Sequence, residues 1–252
     1  TTGDDNTAVG AYSLDATTTG SYNTAVGRQS LSANTTGSSN EAFGYYALAT
    51  NTTGEYNTAL GARALQTNNG DDNVAVGRDT LRLNTTGGNN VAVGAFALDA
   101  NTTASYNVAV GRASLGSNTT GTQNTALGYA TLNQCTTASE NTAVGYNALH
   151  ANTTGAKNVA VGLNALDGNT TGYRNTTIGY NSQTNSTTGN NNTTCGADTM
   201  VSLSTGHDNT AIGAFTLNSI STGSSNVGVG ASALEANTTA AGNTAIGAFC
   251  LN

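Results

Sequence analysis

Residues that could bind a metal or transform a substrate are few in this 252-residue chain. The two histidines, His150 and His207, have no partner at a spacing typical of a catalytic triad or a zinc site. The three cysteines, Cys135, Cys195 and Cys250, are too widely spaced for a disulfide framework or a metal-binding motif. The sequence therefore predicts no enzyme, no metal site and no cofactor.

Acidic residues form two adjacent pairs, Asp4-Asp5 and Asp71-Asp72, each directly before an asparagine, and Asp208 occupies a matching place. Clustered carboxylates could bind calcium, but the pattern lacks the Gly-Gly-x-Gly-x-Asp spacing of calcium-binding solenoids. The acids also form no convergent pair of the kind that glycosidases use. We interpret them as solvated turn residues.

Arginine and tyrosine, which are common in recognition surfaces, recur five residues after an asparagine that itself returns at a fixed interval. The residues in this column are Arg28, Arg78, Arg112, Tyr45, Tyr129, Tyr146 and Tyr180. They are candidate binding residues, although packing between subunits or scattered surface placement would also explain them.

Eight turns carry an Asn-Thr-Thr segment that satisfies the sequon for N-glycosylation. Their asparagines are Asn34, Asn51, Asn84, Asn101, Asn118, Asn152, Asn169 and Asn237. Turn chemistry alone also selects asparagine and threonine at such places, so the sequon has two explanations.

These residues all belong to one internal repeat that fills the chain. The pattern Asn-x-small-apolar-Gly begins fifteen times, at intervals of 17 residues as from Asn6 to Asn23, with one interval of 16 between Asn57 and Asn73. A period this constant indicates one supersecondary unit stacked on copies of itself. We expect a single solenoid over residues 1–252, forming part of a longer fibre.

Positions within the repeat are numbered from this asparagine. Position four is apolar in every copy, with Cys195 counted among the apolar residues, position five is always glycine, and position nine is leucine except at Gln183 and Met200. Each copy is too short for two stable helices, whereas strands of about five residues fit. We expect positions four and nine to be buried and positions twelve to fifteen, typically Asn-Thr-Thr-Gly, to form the return turn.

Position three is almost always alanine and, on a strand, points away from position four. A solvent-facing column would vary toward larger polar residues, so another surface is expected to pack against it. A second copy of the chain is the simplest candidate, which predicts a cyclic homo-oligomer. The repeated asparagine at position one is expected to form an amide ladder between stacked coils.

Composition narrows the partners that the chain could have. Its net charge is −7, only 8% of residues are charged, and it contains 32 glycines and no proline. Scattered basic residues do not favour nucleic-acid binding, which needs clustered positive charge. No segment has the length of apolar sequence that spans a membrane.

The segments Asn6 to Gly10, Asn23 to Gly27 and Asn141 to Gly145 read Asn-Thr-Ala-Val-Gly. They resemble the head repeats of YadA-like trimeric autotransporter adhesins, and the Asn-Thr-Thr-Gly turns are similar to those of phage tail-fibre proteins. The resemblance covers the whole chain. It implies a trimer of left-handed parallel β-rolls, which agrees with the all-β fold of 17-residue coils expected from the repeat, although this repeat is slightly longer than that of the adhesin heads.

The function expected from these observations is structural. We expect a rigid trimeric rod at a cell or virion surface that attaches to a host receptor or glycan, either as an adhesin or as the shaft of a phage tail fibre. Ice binding is an alternative, because parallel β-solenoids can display regular threonine arrays. Threonines that are adjacent in a turn, however, should not share one flat face.

Overall fold

The computed structural model describes residues 2–252, and the chain divides into two compact units, residues 1–124 and 125–252. Each unit is an all-β parallel solenoid in which one turn takes about 17 residues and contains one short strand. The predicted all-β parallel β-solenoid is therefore confirmed. No helix among the described residues has the length and apolar character needed to cross a bilayer.

The strands occupy positions two to four of the repeat. Unit one contains β1 (Thr7–Val9), β2 (Thr24–Val26), β3 (Glu41–Phe43), β4 (Thr58–Leu60), β5 (Val74–Val76), β6 (Val91–Val93) and β7 (Val108–Val110). Unit two contains β8 (Thr125–Leu127), β9 (Thr142–Val144), β10 (Val159–Val161), β11 (Thr176–Ile178), β12 (Thr193–Cys195), β13 (Thr210–Ile212), β14 (Val227–Val229) and β15 (Thr244–Ile246).

Within each unit, every strand pairs in parallel with the next one along the chain, and equivalent positions face each other. Ala25 thus pairs with Ala42, and Val161 with Ile178. The strands have three residues, fewer than the five expected from the sequence. Identical side chains consequently stack in columns along each solenoid.

Left-handed backbone at three positions per coil explains why the strands are short. Residues at positions seven, nine and seventeen have φ near +50° to +60°, as in Arg63, Leu65 and Asp72. None of the described non-glycine residues with positive φ is valine, isoleucine or threonine, because β-branched side chains clash in this conformation. Position nine is therefore leucine, methionine or glutamine rather than any large apolar residue.

Glycine at position five is required by both conformation and space. Gly94 has φ +126°, and a Cβ atom added to it would lie 2.7 Å from the carbonyl carbon and oxygen of Gly111 in the next coil. A left-handed extended backbone and close contact between coils both select glycine.

The interior of each coil is formed by the alanine at position three and the leucine at position nine. Ala92, Ala109, Leu98 and Leu115 all have 0% exposure. The prediction that a surface packs closely against the alanine column is confirmed, but its partner was assigned wrongly. The alanines pack inside their own coil and do not mark a contact with a second chain.

The one glycine at position three supports this assignment. A Cβ atom at Gly228 would lie 2.7 Å from Cγ2 of Thr216 and 3.5 Å from Cγ of Leu217. Position three of this coil therefore faces side chains of its own solenoid, Thr216 and Leu217.

Position four lies on the outside of the coil, so the prediction that it is buried was wrong. Leu60 is 49% exposed, Leu127 47% and Ile178 43%. Because alternate strand residues share a face, the side chains at positions two and four project together from each strand. We call these first and third residues of the strands the outer stripe.

The predicted amide ladder is present at position one. Oδ1 of Asn90 accepts hydrogen bonds from the backbone N–H and the side-chain amide of Asn107, at 3.0 and 3.3 Å. Nδ2 of Asn90 donates to the carbonyl of Ala104 at 2.9 Å and to Oδ1 of Asn73 at 3.1 Å. Each buried amide therefore joins its own turn to both neighbouring coils.

The single short coil, residues 57–72, lacks one turn residue, and a side chain replaces the missing carbonyl. In a regular coil, the carbonyl of Thr52 accepts from the backbone N–H groups of Thr35 and Thr36. Oδ1 of Asn69 takes the equivalent place and accepts from the N–H and hydroxyl of Thr52 at 2.7 and 2.8 Å. The deletion is thus accommodated without loss of these hydrogen bonds.

Candidate binding surface

The arginines and tyrosines predicted from the sequence occupy position six, directly after the glycine that follows each strand. All seven are exposed: Arg28, Arg78, Arg112, Tyr45, Tyr129, Tyr146 and Tyr180. Their exposure in a single chain agrees with all three interpretations made from the sequence: binding, packing between subunits and ordinary surface location.

Stacking between coils groups these residues into small clusters. The Arg28 guanidinium lies 5.8 Å from the centre of the Tyr45 ring, and its Nη1 donates to the Tyr45 hydroxyl at 3.4 Å. The rings of Tyr129 and Tyr146 are stacked, with centres 5.2 Å apart and an interplanar angle of 8°. Position six therefore presents preordered flat side chains.

A cluster of ion pairs that the sequence did not predict lies in unit one. Nη2 of Arg63 donates to Oδ2 of Asp79 at 2.8 Å, and its Nε lies 2.7 Å from Oδ1. In the next pair of coils, Nε of Arg82 donates to Oδ1 of Asp99 at 2.9 Å. Both arginines are thus held in the fork geometry typical of guanidinium and carboxylate groups.

This cluster could have been found by comparing equivalent positions in consecutive coils. Arg63 and Asp79 both occupy position seven, and Arg82 and Asp99 both occupy position ten. Residues at one position stack in a column, so opposite charges in adjacent copies predict an ion pair. The hydrogen bond to Asp99 raises the pKa of Arg82.

The sequon asparagines form a second interior amide ladder at position twelve. Asn34, Asn51, Asn84, Asn101, Asn118, Asn152 and Asn169 have 0% exposure. Nδ2 of Asn101, for example, donates to the carbonyl of Ala104 at 3.0 Å and to Oδ1 of Asn84 at 2.8 Å. In these seven, the folded coil buries the nitrogen that would be glycosylated, whereas Asn237 is partly exposed.

The histidines are paired with carboxylates rather than with each other. Nδ1 of His207 lies 2.8 Å from Oδ2 of the exposed Asp208, and this contact, with a hydrogen bond from Asn191, lowers the pKa of Asp208. His150 lies 3.8 Å from Asp167, whose pKa is raised by burial. Across residues 2–252, no three histidine, cysteine or acidic side chains come together as a metal site would require.

The turn acids and the cysteines serve local roles. Oδ1 of Asp71 accepts from the backbone N–H of Glu55 at 2.9 Å, so this carboxylate caps a turn of the preceding coil.

Cys135 replaces asparagine at position twelve, where burial raises the pKa of its thiol to about 11. Cys195 is the exposed position-four residue of β12. The thiol of Cys135 donates to the carbonyl of Ala138 at 3.6 Å.

Comparison of the chain with protein-family models, with curated proteins and with solved structures found no match.

Proposed function

We propose that the chain is a structural fibre protein that assembles through its outer stripe into a homotrimer and acts in attachment at a cell or virion surface. The observation that supports this proposal most directly is the exposure of apolar side chains in a regular column on the strands. The resemblance to trimeric adhesin heads and phage tail fibres supports the trimeric state and the surface location.

The outer stripe has the chemistry of a contact surface. It consists of threonine, valine, isoleucine, leucine, phenylalanine and Cys195, and its only charged residue is Glu41. Leu60, Leu127 and Ile178 all remain more than two-fifths exposed within a single chain. Within each unit, exposed apolar side chains in a regular column are typical of protein interaction sites, and cyclic symmetry allows the same stripe of each copy to meet the others.

The interior of the coils fits a mechanical role. Amides at positions one and twelve, threonine hydroxyls at position thirteen and backbone groups all form hydrogen bonds between successive coils, as in the 3.0 Å bond from the Thr102 hydroxyl to the Thr119 carbonyl. Each coil is therefore fixed to its neighbours by several repeated contacts. Such a scaffold suits a spacer that displays binding groups along its length.

Two lysine substitutions in the outer stripe test this proposal. Ile178→Lys with Ile212→Lys places like charges in the proposed interface, where desolvation and repulsion oppose assembly. We expect the wild-type chain to be trimeric by multi-angle light scattering and the double variant to be monomeric, with unchanged circular dichroism.

The matched control is Thr188→Lys with Thr222→Lys, which adds the same charge at exposed turn positions of the same two coils. This control is expected to stay trimeric. A double stripe variant that assembles as well as the control would contradict the proposed interface.

Ice binding is a second candidate, because the structure displays a column of threonines on the strands. This array is distinct from the adjacent threonines of the turns. Threonine is the first residue of nine of the fifteen strands, and it shares the outward face with an apolar residue two positions later in the strand. A thermal hysteresis measurement distinguishes the two functions: a monomeric chain with hysteresis supports ice binding, whereas a trimer without hysteresis supports the fibre. The two functions compete for the same surface.

A further inference from the structure

Position six of the repeat changes in character between the two units. In unit one its arginines contact other side chains of their own chain. Arg28 donates to Tyr45, and the Arg78 guanidinium lies 4.8 Å from the centre of the Phe96 ring, with its Nε 3.6 Å from Asp79. In unit two this position holds no arginine, and four consecutive coils present large aromatic or apolar side chains that are more than two-fifths exposed: Tyr129, Tyr146, Leu163 and Tyr180. We call these four residues the tyrosine column.

Stacking between coils orders the tyrosine column. The rings of Tyr129 and Tyr146 lie parallel with centres 5.2 Å apart, close to the strand spacing of ~4.8 Å. Tyr146 and Tyr180 nevertheless stay 49% and 53% exposed. The column ends at Tyr180, because the next coil has Ala197 at position six. Unit two therefore displays a row of large side chains that is four coils long.

A row of amides lies directly beside the tyrosine column. Position seven is Asn147, Asn164 and Asn181 in three of these coils, and all three are half-buried. The backbone N–H of Asn164 donates to the carbonyl of Tyr146 at 2.9 Å, and that of Asn181 to the carbonyl of Leu163 at 3.0 Å. Nδ2 of Asn164 donates to Oδ1 of Asn181 at 3.1 Å. Since each amide has two N–H donors and an oxygen acceptor, this bond uses only part of their capacity.

Backbone conformation alone does not explain these asparagines. Asn147 has φ +54°, in the left-handed region that asparagine tolerates. Other coils place Arg63, Phe96 or Ala130 at position seven with φ values of +61°, +63° and +51°. The run of amides is therefore a property of this surface and not a requirement of the turn.

The coils that carry the tyrosine column have no net charge. Residues 125–181 include two acidic and two basic residues, and none of these four occupies position six or seven: Glu140, Asp167, Lys157 and Arg174. Glu140 and Lys157 also lie 3.7 Å apart, and His150 lies 3.8 Å from Asp167. A charged ligand would gain no long-range attraction from such a surface, so a neutral ligand fits it better.

We propose that the tyrosine column and its neighbouring amides bind a linear neutral polysaccharide that runs along the solenoid. Aromatic rings offer apolar surface to the carbon-bound hydrogens of sugar rings, while tyrosine hydroxyls and amides hydrogen-bond to sugar hydroxyls. One coil advances by ~4.8 Å, which is close to the length of one unit in an extended β-1,4-linked chain. Successive sugar units therefore meet successive coils. This inference rests on the attachment role proposed above and gives it a ligand class, but it does not depend on the trimer.

Oligosaccharides of increasing length test the inference on the full chain. The probes are cello-oligosaccharides and N-acetylchito-oligosaccharides of two, four and six units, with tetragalacturonic acid as a charged counterpart, followed by calorimetric titration. Because the column spans four coils, we expect four units of at least one neutral series to bind about tenfold tighter than two, and six units to bind within about twofold of four. No binding of either neutral series, or equally tight binding of tetragalacturonic acid, would overturn the proposal.

Alanine substitutions locate the site. Tyr146→Ala and Tyr180→Ala are each expected to weaken binding of the four-unit sugar by about tenfold, because each removes an aromatic ring from the column. Asn164→Ala removes an amide and should weaken binding by about threefold or more. Alanine is already present at position six in Ala197 and at position seven in Ala130, so the three variants are expected to fold.

The matched control is Tyr173→Ala, which removes a tyrosine of similar exposure, 44%, outside the column in the same unit. It is expected to bind within about twofold of the wild-type chain. Equal weakening by Tyr173→Ala and Tyr146→Ala would overturn the assigned site.

Sedimentation of each variant separates sugar binding from packing between subunits. Loss of the trimer in Tyr146→Ala would assign the column to a subunit contact and overturn the proposal. A trimeric chain that binds no neutral oligosaccharide overturns this inference but not the fibre, whereas a monomer that binds one overturns the trimer but not this site.

Discussion

Leucine at position nine must both fill the interior with apolar volume and adopt a left-handed backbone conformation. Its side chain fills the interior of the coil, and its backbone has φ near +50°, as at Leu98. Valine or isoleucine would supply similar apolar volume, but their branched Cβ atoms raise the energy of the left-handed conformation. The repeat therefore retains unbranched Cβ atoms at this position, including those of Gln183 and Met200.

Replacing Leu98 with isoleucine tests this explanation at constant volume. We expect Leu98→Ile to lower the free energy of unfolding by about 1 to 2 kcal/mol through backbone strain, in addition to repacking. Leu98→Met is the control, because methionine occupies the same position at Met200 and tolerates the same φ. Urea denaturation that finds the isoleucine variant as stable as the methionine variant would refute the conformational explanation.

The two amide ladders differ in what they bind. At position one, Asn90 accepts from the backbone N–H of Asn107, a bond that only its side-chain oxygen supplies. At position twelve, Asn101 donates to the carbonyl of Ala104, which also accepts from Asn90. The sequence agrees with this difference between the ladders. Position one is asparagine in every coil, whereas position twelve is occupied in other coils by Cys135, Leu203 and Ile220.

Leucine substitutions in one coil compare the two ladders. Asn90→Leu leaves a buried backbone N–H without its acceptor, which costs about 1 to 3 kcal/mol. Leu203 occupies position twelve in another coil, so leucine is compatible with the second ladder. We therefore expect Asn101→Leu to lower the free energy of unfolding by about 1 to 3 kcal/mol less than Asn90→Leu does. Equal denaturation midpoints for the two variants would show that the ladders are equivalent, contrary to this interpretation.

At the scale of the coil, the sequence predicted stacking better than it predicted orientation. The period, the invariant Gly and the repeated Asn were sufficient to predict the parallel coils and the amide ladder, because identical residues must align when equal units stack. The assignment of position four to the interior failed because alternation in a strand distinguishes two faces without saying which is inward. In a coil this thin, leucine fills the interior and the residue opposite it is alanine or glycine.

The candidate binding surface was only partly predictable for a similar reason. Arg78 and Arg112 were found as members of one column, but Phe96 and Arg63 belong to the neighbouring column at position seven. Their proximity depends on how the backbone turns after the glycine, where position six is exposed and Asp79 at position seven is buried. Local left-handed conformations set these directions, and a repeat pattern alone does not contain them.

Across the whole molecule, small residues and amides lie inside the coils and larger apolar residues lie outside. Each coil has a small interior, with alanine, leucine and hydrogen-bonded amides, and leaves its larger β-branched side chains on the outer stripe. Burying that stripe in a trimer would remove apolar surface from water, a favourable term that a single chain cannot supply. The exposed stripe therefore predicts that the chain assembles.

The most direct test is the mass of the native chain in solution by sedimentation equilibrium. One chain has a mass of 25.0 kDa, and we expect a single species of three times this mass that persists on dilution. A folded species with the mass of one chain at all concentrations would contradict the claim that the outer stripe is a contact between subunits.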